Sequence, residues 1–298
     1  MIPKRYCSYY SSTQYGANVG KIYHYTSAEG IIGILKNKEL WFTNIYFLND
    51  CNELFYTYSL IKRIISEDKL ELYKPIYDKI LSRCNYMLSQ NYFNEEKEIF
   101  HREEYYISSF SLDKDNIALW NYYTKSNVTG YNICFEDYKF INKSIAQGKV
   151  CYSLKDQTEI LRKIIVEYNK KYNKAKRNEK HSIIKELWIE FKICSLFFKS
   201  PKYEVEQEYR IILAIHNSCK EEKIKCSYRD KNGLIIPYIK LDLKELLQGD
   251  ERLSDLIKGL MISPINQGET TKYGLARLAS GADLYYCPIN FSEAKMKF

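Results

Sequence analysis

Three glutamates and an arginine alternate along the segment Glu204-Val205-Glu206-Gln207-Glu208-Tyr209-Arg210. Because alternate side chains of a strand lie on one face, the spacing predicts that these four charged groups line one side of a strand. The same side turns apolar at Ile212 and Ala214. A charged face that meets a buried one indicates the edge of a cleft, where carboxylate pKa values are easily perturbed. The alternative is an exposed strand end in which Arg210 neutralises a neighbouring carboxylate.

A histidine lies at the junction between the first predicted strand and the first predicted helix, in Tyr23-His24-Tyr25-Thr26. Backbone N–H groups and the positive end of the helix dipole gather at such a junction, and both suit a phosphate or ribose ligand. Thr26 and Glu29 also have the spacing of a capping box. The alternative is therefore that Thr26 only caps the helix and that His24 is a half-buried polar residue.

Hydroxyl and aromatic side chains occur together in Ser108-Ser109-Phe110-Ser111 and, shortly after, in Trp120-Asn121-Tyr122-Tyr123. Hydroxyls on a strand can orient a ligand amide, and an aromatic ring can stack on a flat heterocycle. The alternative is a half-polar strand followed by an amphipathic helix whose aromatic residues belong to the core.

Acidic residues also occur in Asn49-Asp50-x-x-Glu53, where helix capping accounts for both carboxylates without a metal ion. The nearest approach to a metal-ligand cluster is His216, Cys219 and Cys226. These residues lack a second close pair with zinc-finger spacing. The sequence therefore predicts no metal site.

The elements that must position these residues follow from hydrophobic periodicity. Strands are predicted at residues 21–25, 40–43, 105–111, 130–135, 149–152, 206–215, 234–241, 260–262 and 283–287. Helices are predicted after residue 26, after residue 50 with an interruption at Pro75, and over residues 117–123, 153–198 and 270–278. Strands from all parts of the chain with helical insertions between them predict an α+β fold with a mostly antiparallel sheet. No repeat and no linker divides residues 1–298, so we expect one globular domain.

Composition restricts the class of protein. The chain has 298 residues and a net charge of +8, a balance that favours acidic partners such as nucleic acid or a phosphorylated cofactor. The densest basic run, residues 170–180, is more typical of a solvated face or loop than of a nucleic-acid patch. Nine cysteines without a CxxC pair favour reduced thiols in a cytosol. No signal-peptide pattern and no run near the ~20 apolar residues of a membrane span is found, so a cytoplasmic protein without a membrane partner is expected.

In this order, the segments resemble the bacterial family catalogued as domain of unknown function (DUF) 2971. The family pattern is an aromatic-His-Tyr-Thr/Arg segment, an Asn-Asp-x-x-Glu, a Phe-Ser strand, a Trp-x-x-Tyr with a following Gly, and Lys…Glu-x-Glu-x-Arg. The corresponding residues here are Tyr23 to Thr26, Asn49 to Glu53, Phe110-Ser111, Trp120 to Tyr123 with Gly130, and Lys199 with Glu206, Glu208 and Arg210. The resemblance spans about residues 20–290.

More distantly, the same segments look like those of ADP-ribosyltransferases, which implies a split antiparallel sheet and NAD as the cofactor. By this likeness Glu208 is catalytic, Glu206 prepares the acceptor, and Arg210 orients the two carboxylates. A carboxylate beside a developing cation supplies electrostatic stabilisation. The NAD-binding residues implied are His24, Tyr25, Thr26, Ser111, Trp120 and Tyr123, with Tyr123 stacking on the ligand.

Two functions of different classes follow. The first is an NAD-consuming transferase or glycohydrolase, a bacterial toxin or anti-phage effector that modifies nucleic acid or protein. The second is a non-catalytic nucleotide sensor or nucleic-acid-binding module. The first function requires Glu208 for activity, whereas the second tolerates its loss while ligand still binds. The sequence makes no prediction of oligomeric state.

Overall fold

The computed structural model describes residues 18–48, 53–67, 70–89, 103–123, 128–141, 146–216 and 226–294. The strands are β1 (Lys21–Ser27), β2 (Glu39–Asn44), β3 (Glu103–Ser111), β4 (Gly130–Glu136), β5 (Ala146–Lys149), β6 (Glu208–His216), β7 (Ser227–Lys231), β8 (Leu234–Asp242), β9 (Ile257–Ile262) and β10 (Ile289–Phe291). The α-helices are α1 (Ala28–Asn37), α2 (Glu53–Glu67), α3 (Lys74–Met87), α4 (Ile117–Tyr123), α5 (Leu154–Lys174), α6 (Lys180–Phe197), α7 (Leu253–Leu256) and α8 (Glu269–Gly281). None of the helices in these ranges combines the length and apolar character needed to cross a membrane.

The ten strands of the described ranges belong to one sheet, with the order β10-β9-β4-β1-β3-β2-β8-β7, and β6 joins β3 to β5. The strand pairs are antiparallel except for the parallel pair of β9 and β10. The prediction of a mixed α and β protein with a mostly antiparallel sheet is therefore confirmed.

The sheet forks at β3. Strand β6 pairs with β3 along its whole length, from Glu103 to Ser111, and so occupies one edge. A strand has only two edges, so β1 and β2 must share the other. Strand β1 pairs with it at Ser111, and β2 pairs with it at Ile107 and Tyr106. Between these pairs, neither neighbour covers residues 108–110, and we call this opening the fork.

Two apolar clusters cover the sheet because successive residues of β3 point to opposite faces. Tyr105 and Ile107 pack on a layer formed by α2, α3, α5 and α6. Tyr106 and Phe110 pack on the other side, in a cluster that includes residues of α1 and α8. The predicted helical layer after residues 53 and 153 therefore lies on the face that carries the odd-numbered residues of β3.

Some details of the predicted elements are wrong, among them the strand predicted at residues 149–152, which is Ala146–Lys149 instead. Strand 283–287 is absent, and the last strand is Ile289–Phe291 instead. The expected cap Thr26 lies inside β1, and the Ser27 hydroxyl caps α1 by accepting from the Gly30 N–H at 3.2 Å. Strand β7 was not predicted, because its exposed, charged residues lack apolar alternation, although Asn232 and Gly233 supply the positive φ angles of a hairpin turn. The expected cap Asp50 lies outside the described residues.

A close contact between Gly30 and Thr26 leads to a stability prediction. A Cβ atom at position 30 would lie 1.9 Å from the Oγ1 atom of Thr26, a buried β-branched residue with little freedom to move. We expect Gly30→Ala to lower the free energy of unfolding by about 1–3 kcal/mol through overpacking. Gly33→Ala on the same helix is the control, since no atom lies within 4 Å of its Cβ position. That variant should gain about 0.5–1 kcal/mol in helix propensity, and urea unfolding that ranks the two variants in the opposite order would contradict this account.

The helical layer contains a buried carboxyl group, Glu190 on α6. Burial, together with Glu167, raises its pKa to about 7. A raised folded-state pKa gives a stability contribution that is complete below about pH 4.5 and is lost as pH rises through 7. We therefore expect Glu190→Gln to stabilise the protein at pH 8 by about 1–2 kcal/mol, after a discount for solvent screening, and to change little at pH 4. Thermal unfolding across this pH range tests it, with the exposed Glu159→Gln as the control; equal effects of Glu190→Gln at both pH values would contradict the expectation.

Candidate functional site

The charged segment is divided between a turn and a strand. Glu204 and Glu206 lie in a 3-10 turn, Pro201–Glu206, and not on a strand as predicted. The reason is local: Pro201 fixes the start of the turn, and Gln207 adopts a left-handed conformation (φ 46°) that separates it from β6. From Glu208 onward the prediction is correct, since Glu208 and Arg210 share the face of β6 that carries Ile212 into the helical layer.

Four charged side chains form a buried cluster where this turn meets β6. Arg210 holds Glu208 through two hydrogen bonds, Nε to Oε1 at 2.9 Å and Nη2 to Oε2 at 2.8 Å. Its Nη1 atom donates to the Leu196 carbonyl at 2.7 Å. Lys199 Nζ lies 2.6 Å from Glu206 Oε2 and 3.3 Å from Glu208 Oε2. The cluster therefore joins the end of α6 to β6 and to the turn.

The two carboxylates of this cluster have opposite pKa shifts. Burial alone would raise the pKa of Glu208, but the charges of Arg210 and Lys199 outweigh burial and lower it. Burial raises the pKa of Glu206, although Lys199 opposes the shift. Glu206 is also more accessible, with its side chain 16% exposed against 7% for Glu208. Glu208 is thus a permanently ionised group, whereas Glu206 can exchange a proton nearer to neutral pH.

Ser111 holds the turn through its buried hydroxyl. Its buried hydroxyl donates to the Glu206 carbonyl at 2.9 Å and accepts from the Asp113 N–H at 3.1 Å. Asn116 Nδ2 similarly donates to the Val205 carbonyl at 2.6 Å. The predicted ligand-binding residue Ser111 therefore acts on the site through Glu206.

The predicted aromatic residues form a stack that ends at the cluster. Tyr25 packs edge-on against Trp120, with ring centroids 4.6 Å apart, and faces Tyr123 at 6.4 Å. Trp120 is fully buried, and its indole N–H donates to Asp115 at 2.7 Å. Tyr123 is 38% exposed. Burial of its hydroxyl, with the nearby charges of Glu208 and Glu206, raises its pKa to about 12.

His24 lies at the fork. Its Nδ1 atom is 3.0 Å from the Ser109 carbonyl oxygen, and its ring packs on Phe110. A carbonyl only accepts, so Nδ1 carries the proton and Nε2 is left as an acceptor. Desolvation by burial, aided by the charge of Arg229, lowers the pKa of His24 to about 4, so the ring is neutral at pH 7.

Strand pairing sets the relation between His24 and the carboxylates. Tyr23 lies opposite Ser111, so His24 alternates to the other face of the sheet. Glu208 approaches β3 from the β6 edge, whereas the His24 ring reaches the backbone of β3 through the fork. The two side chains therefore lie on opposite sides of β3, where His24 contacts the backbone carbonyl of Ser109 and Glu208 contacts its side chain.

Ser109 belongs to the predicted hydroxyl segment, of which only Ser111 was assigned to the ligand. It is exposed although it lies in the middle of β3, and its side chain hydrogen-bonds Glu208, which helps to keep that carboxylate ionised. The Oγ atom of the adjacent Ser108 is buried and has no hydrogen-bond partner within the described chain. Strand alternation could have identified Ser109, because it shares a face of β3 with Ser111. On the paired strand β6, Arg210 lies opposite Ser109 and shares that face.

Of the remaining predicted residues, Thr26 is buried beside Gly30. Asn49 and Asp50 lie outside the described residues, as does Cys219 of the nearest metal-like cluster. Within the described ranges no group of three or more potential ligands is arranged to hold a metal ion.

Two concavities of about 340 Å³ lie elsewhere. The first is lined by residues that include Glu104, Tyr106 and Cys226, and the second by residues that include Lys114 and Asn132. Neither lining includes His24, Tyr123, Glu206 or Glu208, and neither has a pair of carboxylates held by buried cations. The chemistry of the side chains therefore favours the surface between Tyr123 and the fork, which we call the cleft.

Residues 119–211 match the model of a family described as a protein of unknown function (DUF2971). The matched segment runs from the helix that carries Tyr123 to the strand that carries Glu208 and Arg210. It confirms the resemblance to this family for the motifs from Trp120 to Arg210, and it assigns no activity. No curated protein and no solved structure matches the chain.

Proposed function

We propose that the cleft binds NAD and that the protein is an ADP-ribosyltransferase-like enzyme, which cleaves the bond between nicotinamide and ribose. The observation that carries this proposal is the pair Glu206 and Glu208, whose pKa values are shifted in opposite directions beside an exposed aromatic ring. Titratable pairs with diverging environments are typical of sites that combine a permanent charge with proton transfer. NAD supplies the reactive bond, a ribose carbon joined to a good leaving group.

Glu208 contributes charge in this proposal. Arg210 and Lys199 keep it ionised at every physiological pH. When the bond to nicotinamide breaks, its electron pair leaves with nicotinamide and positive charge develops on the ribose. A fixed negative charge nearby stabilises that state more than it stabilises bound NAD. The exposed Ser109 hydroxyl donates to Glu208 and can accept from a ribose hydroxyl. In this way it would link the charge of Glu208 to a ligand in the cleft.

Glu206 contributes proton transfer. Lys199 contacts one carboxylate oxygen, and the other oxygen has no hydrogen-bond partner among the residues that the structure describes. A nucleophile that forms a bond to the ribose carbon must lose a proton, and Glu206 can accept it. Its raised pKa makes it a better base than an ordinary surface carboxylate.

Tyr123 and His24 supply binding surfaces of different kinds. The exposed Tyr123 ring can stack on a heterocycle, and Tyr25 and Trp120 behind it fix its orientation. The neutral His24 ring, which reaches the fork from the other face of the sheet, offers Nε2 as an acceptor for a ribose hydroxyl. Nucleic acid and protein both remain acceptors in this proposal, since each carries suitable hydroxyl or amino nucleophiles, and the net charge of +8 favours the former.

A second function, a non-catalytic nucleotide sensor, is favoured by one observation. Both oxygens of Glu208 already bond to Arg210, and Lys199 approaches one of them. A carboxylate so fully engaged is also what a purely structural ion-pair cluster contains. In this alternative the cleft binds a nucleotide and leaves it intact.

The test is nicotinamide release and transfer of label from NAD, measured with wild-type protein in cell extract and compared with NAD binding by calorimetry. Binding with nicotinamide release supports the enzyme, and transfer of label to a macromolecule identifies the acceptor class. Binding without release over a long incubation favours the sensor. If the protein neither binds nor consumes NAD, both the enzyme and the sensor are excluded for this ligand.

A further inference from the structure

Arg229, on the exposed hairpin of β7 and β8, reaches back over the sheet toward the cleft. Its guanidinium carbon lies 5.7 Å from the ring centroids of both Trp41 and Tyr238. Its Nη2 atom donates to the Thr43 hydroxyl at 2.9 Å. Two adjoining aromatic rings, whose centroids lie 4.4 Å apart, and one hydrogen bond therefore fix the position of a half-buried cation.

No carboxylate in the described part of the chain forms an ion pair with Arg229. Its Nε atom is buried and has no hydrogen-bond partner within that part. The arrangement differs from that of Arg210, whose guanidinium is held by Glu208 and by a backbone carbonyl. Charged groups are rarely taken out of water unless they are paired, so the unmet Nε donor of this half-buried guanidinium indicates that an anion from outside completes the site.

The location of Arg229 relates it to the cleft. Strand pairing puts Thr43 opposite both Ile107 and Tyr238, so these residues and Arg229 share the face of the sheet that carries Ser109. Its charge is near enough to affect the titration of both His24 and Tyr123. The cleft therefore has an unpaired cation at the β2–β8 side and two carboxylates at the β6 side.

We propose that Arg229 binds the phosphate groups of a nucleotide ligand, with Trp41, Tyr238 and Thr43 holding its guanidinium in place. This assignment rests on the proposed function, because it adds the diphosphate contact to a ligand whose ribose lies near His24 and Ser109. A guanidinium presents pairs of donors in one plane, which match two phosphate oxygens at once. An ammonium group cannot reproduce this geometry.

Binding of ADP and of adenosine, measured by calorimetry, tests the proposal without any need for turnover. Wild-type protein should bind ADP more tightly than adenosine. Arg229→Gln should weaken ADP binding by about 10- to 100-fold and leave adenosine binding unchanged. Arg229→Lys should fall between wild type and Arg229→Gln. Arg177→Gln removes the same charge from the exposed turn between α5 and α6 and should leave both affinities unchanged.

Several outcomes would overturn the assignment: no preference of the wild type for ADP, unchanged ADP binding by Arg229→Gln, or an equal loss for both ligands. Thermal unfolding of each variant shows whether a loss reflects the fold. The proposed enzyme fails separately. If ADP binding depends on Arg229 but NAD is never cleaved, the phosphate site stands and the catalytic proposal falls. If NAD is cleaved while Arg229→Gln binds ADP normally, only the phosphate site falls.

Discussion

Glu208→Gln is expected to lower the rate of nicotinamide release from NAD by a factor of about 10² to 10³ while NAD still binds. The substitution keeps the shape of the side chain and removes its charge. Preorganised charge acts mainly on the transition state, where the ribose becomes positive, so binding should change little. The measurement is single-turnover nicotinamide release, with NAD affinity measured in parallel.

Glu206→Gln is the matched comparison, since it alters the same cluster two residues away. This substitution should lower the rate of transfer to the acceptor more than the rate of NAD hydrolysis, because the carboxylate is proposed to take the proton of the nucleophile. Because Glu208 also holds Arg210, both variants should be assayed well below their unfolding temperatures. Equal rates in Glu208→Gln and wild type, with the fold intact, would remove Glu208 from the catalytic proposal.

Arg210→Met is expected to destabilise the protein by about 3–5 kcal/mol, the largest stability effect anticipated for this chain. The guanidinium is 2% exposed, and its loss leaves Glu208 buried without its two-point partner and the Leu196 carbonyl without a donor. Chemical denaturation gives the free energy of unfolding.

The double variant Glu208→Gln with Arg210→Met distinguishes an ion-pair effect from a packing effect. If the cost of Arg210→Met arises from the uncompensated carboxylate, the double variant should lose less than the sum of the single variants. Arg177→Met on the exposed turn should remain within about 0.5 kcal/mol of wild type. Strict additivity of the two buried substitutions would contradict the electrostatic account.

The predicted strand is correct from Glu208 onward and wrong at Glu204 and Glu206, and the difference has a physical reason. Alternation continues to hold from Glu208 to Ala214, because β6 is buried against the helical layer and its register is fixed. It fails at Glu206, because a proline and a left-handed residue take the backbone out of the strand. The spacing of the carboxylates along the sequence does not by itself distinguish a strand from a 3-10 turn.

The site residues that were not predicted were missed for a different reason. Ser109 and Arg229 come from segments 120 residues apart and are brought to one face only by the strand order, in which β2 and β8 lie between β3 and β7. Local patterns contain no information on that order. Conversely, Tyr25 and Trp120 were selected as ligand contacts, but their rings are buried behind Tyr123. The resemblance implied all three rings as ligand contacts, but it does not specify which ring is exposed.

The long pairing of β3 with β6 has a consequence for synthesis of the chain. About 100 residues separate the end of β3 from the end of β6, and at ribosomal rates they require roughly 5–20 s to make. Until then β3 can form only its three pairs with β1 and β2. The edge that β6 later covers is exposed for that interval, and an exposed strand edge favours pairing between nascent chains. Yield on expression should therefore depend on how quickly the segment from α4 to β6 is completed.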